Sequence, residues 1–281
     1  MHARSLRNCV VISCPARQSV TARHVNSPRD PLLRLALMRS DAVHRVLEAE
    51  LAQARKRRGG QPPRVLDVGG GSGVWAVPLA SAGCAVTVVD PSPNALATLQ
   101  RRAADAGVAD RITPLQGDTD ALHAISPEGG ADLVLGHGLL EVVDDVAAAL
   151  REMAAATAPG GAVSVLVANR HAAVLARALT GRVTEALKLF QDPDGRLHDC
   201  AADTLQRRFD SDSVERAMRE AGMDVELIQG QGVLSDIVPG SVLESTTGAA
   251  ESLAELERLA AARPPLRDIA TRLHAIGRVG G

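Results

Sequence analysis

The feature that most constrains the fold is a glycine-rich turn that directly follows a short apolar strand. The strand is predicted over residues 65–68, and the turn continues as Gly69-Gly70-Gly71-Ser72-Gly73. Glycines let the backbone approach a ligand closely, and the helix that follows offers free backbone N–H groups to it. The segment therefore predicts a site for a nucleotide-like cofactor.

Short β-rich segments alternate with Ala-rich helical segments after residue 64. The strands are predicted over residues 65–68, 85–90, 112–115, 132–135 and 162–167. Only three residues of the chain are aromatic, so the core must be built from Ala, Val and Leu, which favours parallel strands covered by helices. We predict an α/β fold: a Rossmann-like, doubly wound, mostly parallel sheet with helices on both faces, and a helical cap from the C-terminal third.

Polar residues follow the predicted strands at one edge of this sheet. Asp67 closes the first strand, where a carboxylate can accept from the ammonium group of an amino-acid moiety, directly or through water. Asp90 ends the second strand, a position from which a carboxylate can accept both hydroxyls of a ribose. Asp118 follows the third, where an acceptor would meet an adenine amino group. His137 ends the fourth, and ligands of open parallel sheets bind beyond the carboxyl ends of strands.

The glycine spacing weakens a nicotinamide-dinucleotide site without excluding it. The dinucleotide fingerprint started at Gly69 requires glycine at position 74 and meets Val74. Started at Gly71, it meets Ala76, which that position tolerates. The chain has no tyrosine, so it also lacks the Tyr-x-x-x-Lys pair of many oxidoreductases.

With these residues placed, the chain resembles the class I S-adenosylmethionine-dependent methyltransferases over residues 64–168. It is most similar to the bacterial tRNA 5-carboxymethoxyuridine methyltransferase family. The resemblance rests on residues 65–71, 90–92, 132–141 and 158–161. The first and last segments are general to the class. The histidine of the third segment, His137 ahead of Leu140-Glu141, is found in a narrower group of these enzymes.

The resemblance implies that S-adenosylmethionine is the cofactor, and no metal site is expected. It implies cofactor contacts by Arg34, Gly69, Gly70, Asp90, Asp118 and His137, to which the position of the glycine turn adds Asp67, Gly71 and Gly73. On the substrate side it implies a weaker match at Asn169 and His171, and the intervening Arg170 is added as a cationic candidate. No catalytic residue is assigned, because a carboxylate acceptor would need no general base.

The same resemblance divides the chain. A methyltransferase domain is expected over residues 31–281, with its cofactor-binding core at about 64–169 and a diverged substrate-side cap at about 170–222. Residues 1–30 are expected to be a disordered leader or an over-extended translation start.

The net charge and the cysteine content do not identify the methyl acceptor. The formal net charge of −2 creates no global field towards nucleic acid or membrane. No apolar run reaches the roughly 18 residues of a membrane span. Four cysteines without zinc spacing fit a reduced cytoplasmic chain. The sequence indicates no oligomeric state.

Two methyl acceptors are therefore considered, tRNA and a small molecule. A local basic patch for tRNA could be built from Arg170, Arg177, Arg182, Lys188, Arg207 and Arg208. The C-terminal third lacks aromatic stacking surfaces for a flipped-out base, which favours small-molecule O- or N-methylation. A nicotinamide-dependent oxidoreductase and a non-catalytic binding module are the remaining alternatives.

Overall fold

The computed structural model describes residues 42–119, 122–126, 129–197, 207–245 and 247–280. The leader predicted for residues 1–30 and the candidate residue Arg34 lie outside these ranges. The predicted division into core and cap stays a prediction.

The described residues form one seven-stranded sheet with the order β3-β2-β1-β4-β5-β7-β6. Its strands are β1 (Arg64–Val68), β2 (Ala85–Asp90), β3 (Ile112–Gln116), β4 (Ala131–His137), β5 (Thr157–Ala168), β6 (Asp224–Gln231) and β7 (Arg272–Arg278). The first five strands are parallel, and β7 runs antiparallel between β5 and β6. The predicted α/β, mostly parallel sheet is confirmed.

Helices cover both faces of this sheet. They are α1 (Ala42–Arg57), α2 (Ala76–Ser81), α3 (Pro93–Asp105), α4 (Leu122–Ile125), α5 (Val146–Ala155), α6 (Arg170–Leu179), α7 (Val183–Gln191), α8 (Ser211–Glu220), α9 (Gly240–Ser245) and α10 (Ala249–Ala260). Apolar side chains of α1, α2 and α3 pack on one face, whereas those of α4, α5 and α8 pack on the other. The carboxyl ends of the central strands β1 and β4 therefore lie between the two helical layers.

Local signals explain where several helices begin. Ser92 caps α3 by accepting from the backbone N–H of Ala95, and a proline follows it. Asp210 and Ser213 form a reciprocal capping box at the start of α8. Two short helices cover residues 170–191: α6 ends at Leu179, and Gly181, at φ +78°, separates it from α7.

The first helix and the last strand are joined by an ion pair. Arg278 of β7 donates to both carboxylate oxygens of Glu50 in α1, at 2.8 and 2.9 Å, and also pairs with Glu226. Only 8% of Glu50 is exposed, so this contact is shielded from solvent. Among the described residues, no helix combines the length and apolar composition needed to cross a membrane.

Candidate functional site

The glycine turn lies at the carboxyl end of β1, under a steric constraint that sequence alone did not reveal. A Cβ atom added to Gly70 would stand 2.5 Å from the Asp67 carboxyl group and 2.9 Å from Val88. Gly69, Gly71 and Gly73 adopt positive φ angles of 68°, 53° and 78°. Side chains are therefore excluded from this turn by space at Gly70 and by backbone conformation at the other three.

Asp67 lies beneath the turn as a buried carboxyl group. Only 1% of it is exposed, and its Oδ2 has no hydrogen-bond partner among the described residues. Burial, helped by the charge of Asp90, raises the pKa of Asp67 to about 7. A cation placed next to this oxygen would satisfy it and restore its charge.

Asp90 connects the end of β2 to the same turn. Its Oδ2 accepts from the backbone N–H of Gly71 at 2.9 Å, and its Oδ1 accepts from the backbone N–H of Ser92 at 2.8 Å. Asp118 follows β3, is exposed, and accepts from the backbone N–H of Thr119 at 2.7 Å. The turn and the two aspartates therefore lie at one edge of the sheet, as predicted.

A cavity of about 750 Å³ opens at this edge. Gly69, Asp90 and Asp118 line it together with Gly138 and Leu139, which follow β4. Its rim is acidic, since Asp144, Asp145 and Glu152 also line it, beside Arg151. A cavity of this size suits a nucleoside-sized ligand, and the acidic rim suits one that carries positive charge.

His137 ends β4 next to this cavity. Its Nε2 lies 2.8 Å from the Ser164 hydroxyl, whereas its Nδ1 is buried and has no hydrogen-bond partner among the described residues. The ring of Trp75 stands edge-on to it, with centroids 4.7 Å apart. Burial and the neighbouring His274, Arg272 and His44 hold the pKa of His137 well below its ordinary value. The ring is therefore neutral at physiological pH.

The three predicted substrate residues lie at the start of α6. Asn169 caps this helix: its Oδ1 accepts from the backbone N–H of His171, and its Nδ2 donates to the carbonyl oxygens of Asp268 and Ala270. Arg170 donates to the carbonyl of Pro193 at 3.2 Å and lies 3.8 Å from Asp210. Their role in substrate binding stays a prediction, and the first two side chains already hold structural contacts.

Buried polar residues that the sequence reading missed lie close to this site. Ser164, His274 and Gln229 occupy neighbouring strands and are buried. Glu141, in the segment that follows β4, accepts from the backbone N–H of Ala168 at 2.7 Å, and burial raises its pKa. A polar residue inside an otherwise apolar strand was the available signal, most clearly for Ser164 in β5.

Comparisons with known proteins identify the family. A family model described as a methyltransferase domain matches residues 38–228. The ubiquinone biosynthesis O-methyltransferase of Methylobacterium nodulans is 34% identical over 118 residues, which is 42% of this chain and 45% of that protein. The tRNA 5-carboxymethoxyuridine methyltransferase of Escherichia coli K12 is 30% identical over 138 residues, 48% of this chain and 52% of that protein. The chain thus spans about half the length of these relatives.

Solved structures agree with the fold. An S-adenosylmethionine-dependent methyltransferase from Mesorhizobium loti superposes with a TM-score of 0.53 at 20% identity, covering 83% of this chain and 95% of that one. At this identity the likeness shows the fold alone. The family match extends over more than half of the chain and gives no support to a nicotinamide-dependent oxidoreductase. The chain therefore belongs to the family of S-adenosylmethionine-dependent methyltransferase domains.

Proposed function

We propose that this chain transfers the methyl group of S-adenosylmethionine to an acceptor bound beside the carboxyl ends of β4 and β5. The observation that carries the proposal is the unpartnered, buried Oδ2 of Asp67 beneath the glycine turn. A buried polar atom without a partner costs free energy unless a ligand supplies one. The ammonium group of the cofactor is a fitting partner, because it is cationic and donates hydrogen bonds.

The remaining cofactor contacts follow from the same edge of the sheet. Asp90 would accept the ribose hydroxyls, and Asp118, exposed in the cavity, would accept from the adenine amino group. Residues 69–71 of the glycine turn carry no side chain that could stand between their own backbone and the ligand, and Gly69 lines the cavity. The acidic rim favours a cationic cofactor and would repel a pyrophosphate.

When bound, the cofactor supplies an electrophilic methyl group, so little acid–base chemistry is required of the protein. The work of the chain is to align the acceptor atom and to exclude water. Leu139 and Val143 line the cavity on the β4 side and provide apolar surface for this purpose. The exposed Arg272 lies near both His137 and Glu141, and it would orient polar groups of an acceptor.

The first candidate acceptor is the carboxymethoxy group of a modified tRNA wobble uridine. It is supported by the E. coli relative and by the position of His137 ahead of Leu140-Glu141. A carboxylate acceptor is already ionised, so it needs no general base, and the product would be a methyl ester.

The second candidate is O- or N-methylation of a small molecule, and the arginine contacts favour it. Several members of the predicted basic patch are engaged within the protein rather than presented to a polyanion. Arg177 and Arg182 pair with Glu185, Arg207 donates to the carbonyls of residues 140, 143 and 144, and Arg208 donates to that of Gly195. The ubiquinone biosynthesis relative is consistent with a small acceptor.

One experiment separates the two acceptors. The purified chain is incubated with methyl-labelled S-adenosylmethionine and either tRNA carrying unmethylated carboxymethoxyuridine or a panel of small phenols, carboxylic acids and amines. Label on tRNA that mild alkali releases supports the first candidate. Label only on a small molecule supports the second, and no transfer to any of these acceptors by a chain that binds S-adenosylhomocysteine would count against both candidates.

A further inference from the structure

Four polar side chains form a continuous hydrogen-bonded chain across the sheet. His137 Nε2 lies 2.8 Å from Ser164 Oγ, and Ser164 Oγ lies 2.8 Å from His274 Nε2. His274 Nδ1 in turn lies 2.9 Å from Gln229 Nε2. The four residues come from β4, β5, β7 and β6, which are adjacent in this order. We call this series the polar chain.

The donor-to-acceptor direction along the polar chain is set by Gln229, its last member. The amide nitrogen of Gln229 can only donate, so Nδ1 of His274 accepts and carries no proton. The proton of His274 is then on Nε2, which donates to Ser164, and Ser164 must direct its own proton to Nε2 of His137. His137 is neutral, so its single ring proton is left on Nδ1.

The end of the polar chain is the atom that lacks a partner. Nδ1 of His137 is buried without a hydrogen-bond partner among the described residues. The next two residues, Gly138 and Leu139, line the cavity. A buried N–H group without an acceptor is costly, and a ligand oxygen at the cavity would supply one.

We propose that Ser164, His274 and Gln229 are positioning residues that fix His137 in the tautomer with its proton on Nδ1, so that it donates to an oxygen of the bound cofactor. The inference rests on the proposed function for the identity of the ligand. The tautomer itself is a property of the free protein. The tautomer assignment and the proposed function can therefore be refuted separately.

The test reverses the direction of the polar chain. In Gln229→Glu, at pH 8, a carboxylate that can only accept replaces the donating amide with almost unchanged shape. His274 would then donate from Nδ1, Ser164 would donate to His274, and His137 would donate from Nε2, leaving Nδ1 as an acceptor. Long-range ¹H–¹⁵N spectra of protein labelled on histidine distinguish protonated from unprotonated ring nitrogens, and His137→Asn assigns the signals.

The expected result is a proton on Nδ1 of His137 in the wild type and on Nε2 in Gln229→Glu. An Nε2 proton in the wild type, or one unchanged tautomer in both proteins, would overturn the proposal. Ser164→Ala provides a second test should Gln229→Glu not fold: it interrupts the polar chain, and the Nδ1 preference of His137 should be lost. A retained preference in that variant would also count against the proposal.

Ligand affinity gives an independent reading. Ser164→Ala and Gln229→Glu should each weaken S-adenosylhomocysteine binding about tenfold, which is about 1.4 kcal/mol. Thr157→Val is the matched control, because it also removes a buried hydroxyl from β5, one that donates to the carbonyl of Met153. It should leave both the affinity and the tautomer unchanged. A wild-type chain with the expected tautomer but no S-adenosylhomocysteine binding would refute the proposed function and the ligand contact, while the tautomer assignment would hold.

Discussion

Asp90 binds the backbone N–H of Gly71 through Oδ2 at a distance of 2.9 Å, and so fixes the glycine turn to the end of β2. The other oxygen, Oδ1, holds the backbone N–H of Ser92 at the start of α3. One carboxylate thereby sets the relative position of a turn, a strand and a helix. The same carboxylate is proposed to bind the cofactor ribose, so its removal should disturb both the turn and the ligand.

Replacing Asp90 should therefore abolish tight cofactor binding. In Asp90→Ala the turn loses a charge-assisted hydrogen bond and the ribose loses its acceptor, each worth about 1.5–3 kcal/mol. We expect a loss of affinity for S-adenosylhomocysteine of roughly a hundredfold or more, measured by calorimetry. NADH serves as the control ligand. Unchanged S-adenosylhomocysteine affinity, or binding of NADH alone, would contradict the assigned site.

Burial of Asp67 predicts a stability that declines as pH rises. Its folded-state pKa of about 7 exceeds the ordinary value of 3.8, so the folded state binds the proton more tightly than the unfolded state. The favourable contribution is complete below pH 4 and is lost as pH rises from there through 7, by roughly 4 kcal/mol. Urea unfolding at several pH values should show Asp67→Asn matching the wild type near pH 4 and exceeding its free energy of unfolding above pH 7.

Asp118→Asn, a change at an exposed carboxylate on the same edge, is the control for that experiment. Its free energy of unfolding should not diverge from that of the wild type as the pH rises. Parallel pH curves for the wild type and Asp67→Asn would show that Asp67 titrates at its ordinary value.

The same ionisation should control cofactor affinity in the opposite direction. The ammonium group of S-adenosylhomocysteine is matched by the charged form of Asp67, which becomes dominant above its pKa of about 7. Calorimetric affinity of the wild type should therefore rise roughly tenfold from pH 6 to pH 8. In Asp67→Asn the affinity should be weaker and nearly constant over this range. A wild-type affinity independent of pH would argue that Asp67 does not meet the ammonium group.

Gly70→Ala tests the space beneath the turn. The added Cβ would approach the Asp67 carboxyl group to 2.5 Å and Val88 to 2.9 Å, so one of them must move. Overpacking of this kind costs about 1–3 kcal/mol, measured as a shift of the urea midpoint. Gly240→Ala is the matched control, since no heavy atom lies within 4 Å of its added Cβ and its φ is not positive. Equal effects of the two changes would mean that the turn has room to relax.

The parallel half of the sheet could be predicted because its signals are local. β1 to β5 are short apolar segments, and the acidic residue at the end of β1 and of β2 appears directly in the sequence. β7 was missed because its sequence holds no continuous apolar run, and the residues that bond and bury its His274 come from strands far away in sequence. The contacts of the polar chain join residues up to 110 positions apart, which no local pattern encodes.

The pairing of Arg278 with Glu50 should contribute measurably to stability. A double-mutant cycle with Arg278→Met and Glu50→Gln, followed by urea unfolding, should give a coupling energy of about 1–3 kcal/mol, because the pair is shielded from solvent. Glu226 contacts the same guanidinium from a more exposed position, and its cycle should give at most about 1 kcal/mol. A larger coupling for Glu226 would mean that burial does not decide the strength of these pairs.

The position of β7 between β5 and β6 has a consequence for how the protein is made. β5 and β6 are synthesised before β7. They cannot become part of one sheet until β7, which ends at Arg278, has been synthesised and has inserted between them. Strand pairing over such a sequence distance is slow, and until it occurs an edge of β5 stays open to other chains. Closure of the sheet also brings His274 to Ser164. A nascent chain therefore completes its sheet and the support of His137 in one late step, and translation that stops before Arg272 yields neither.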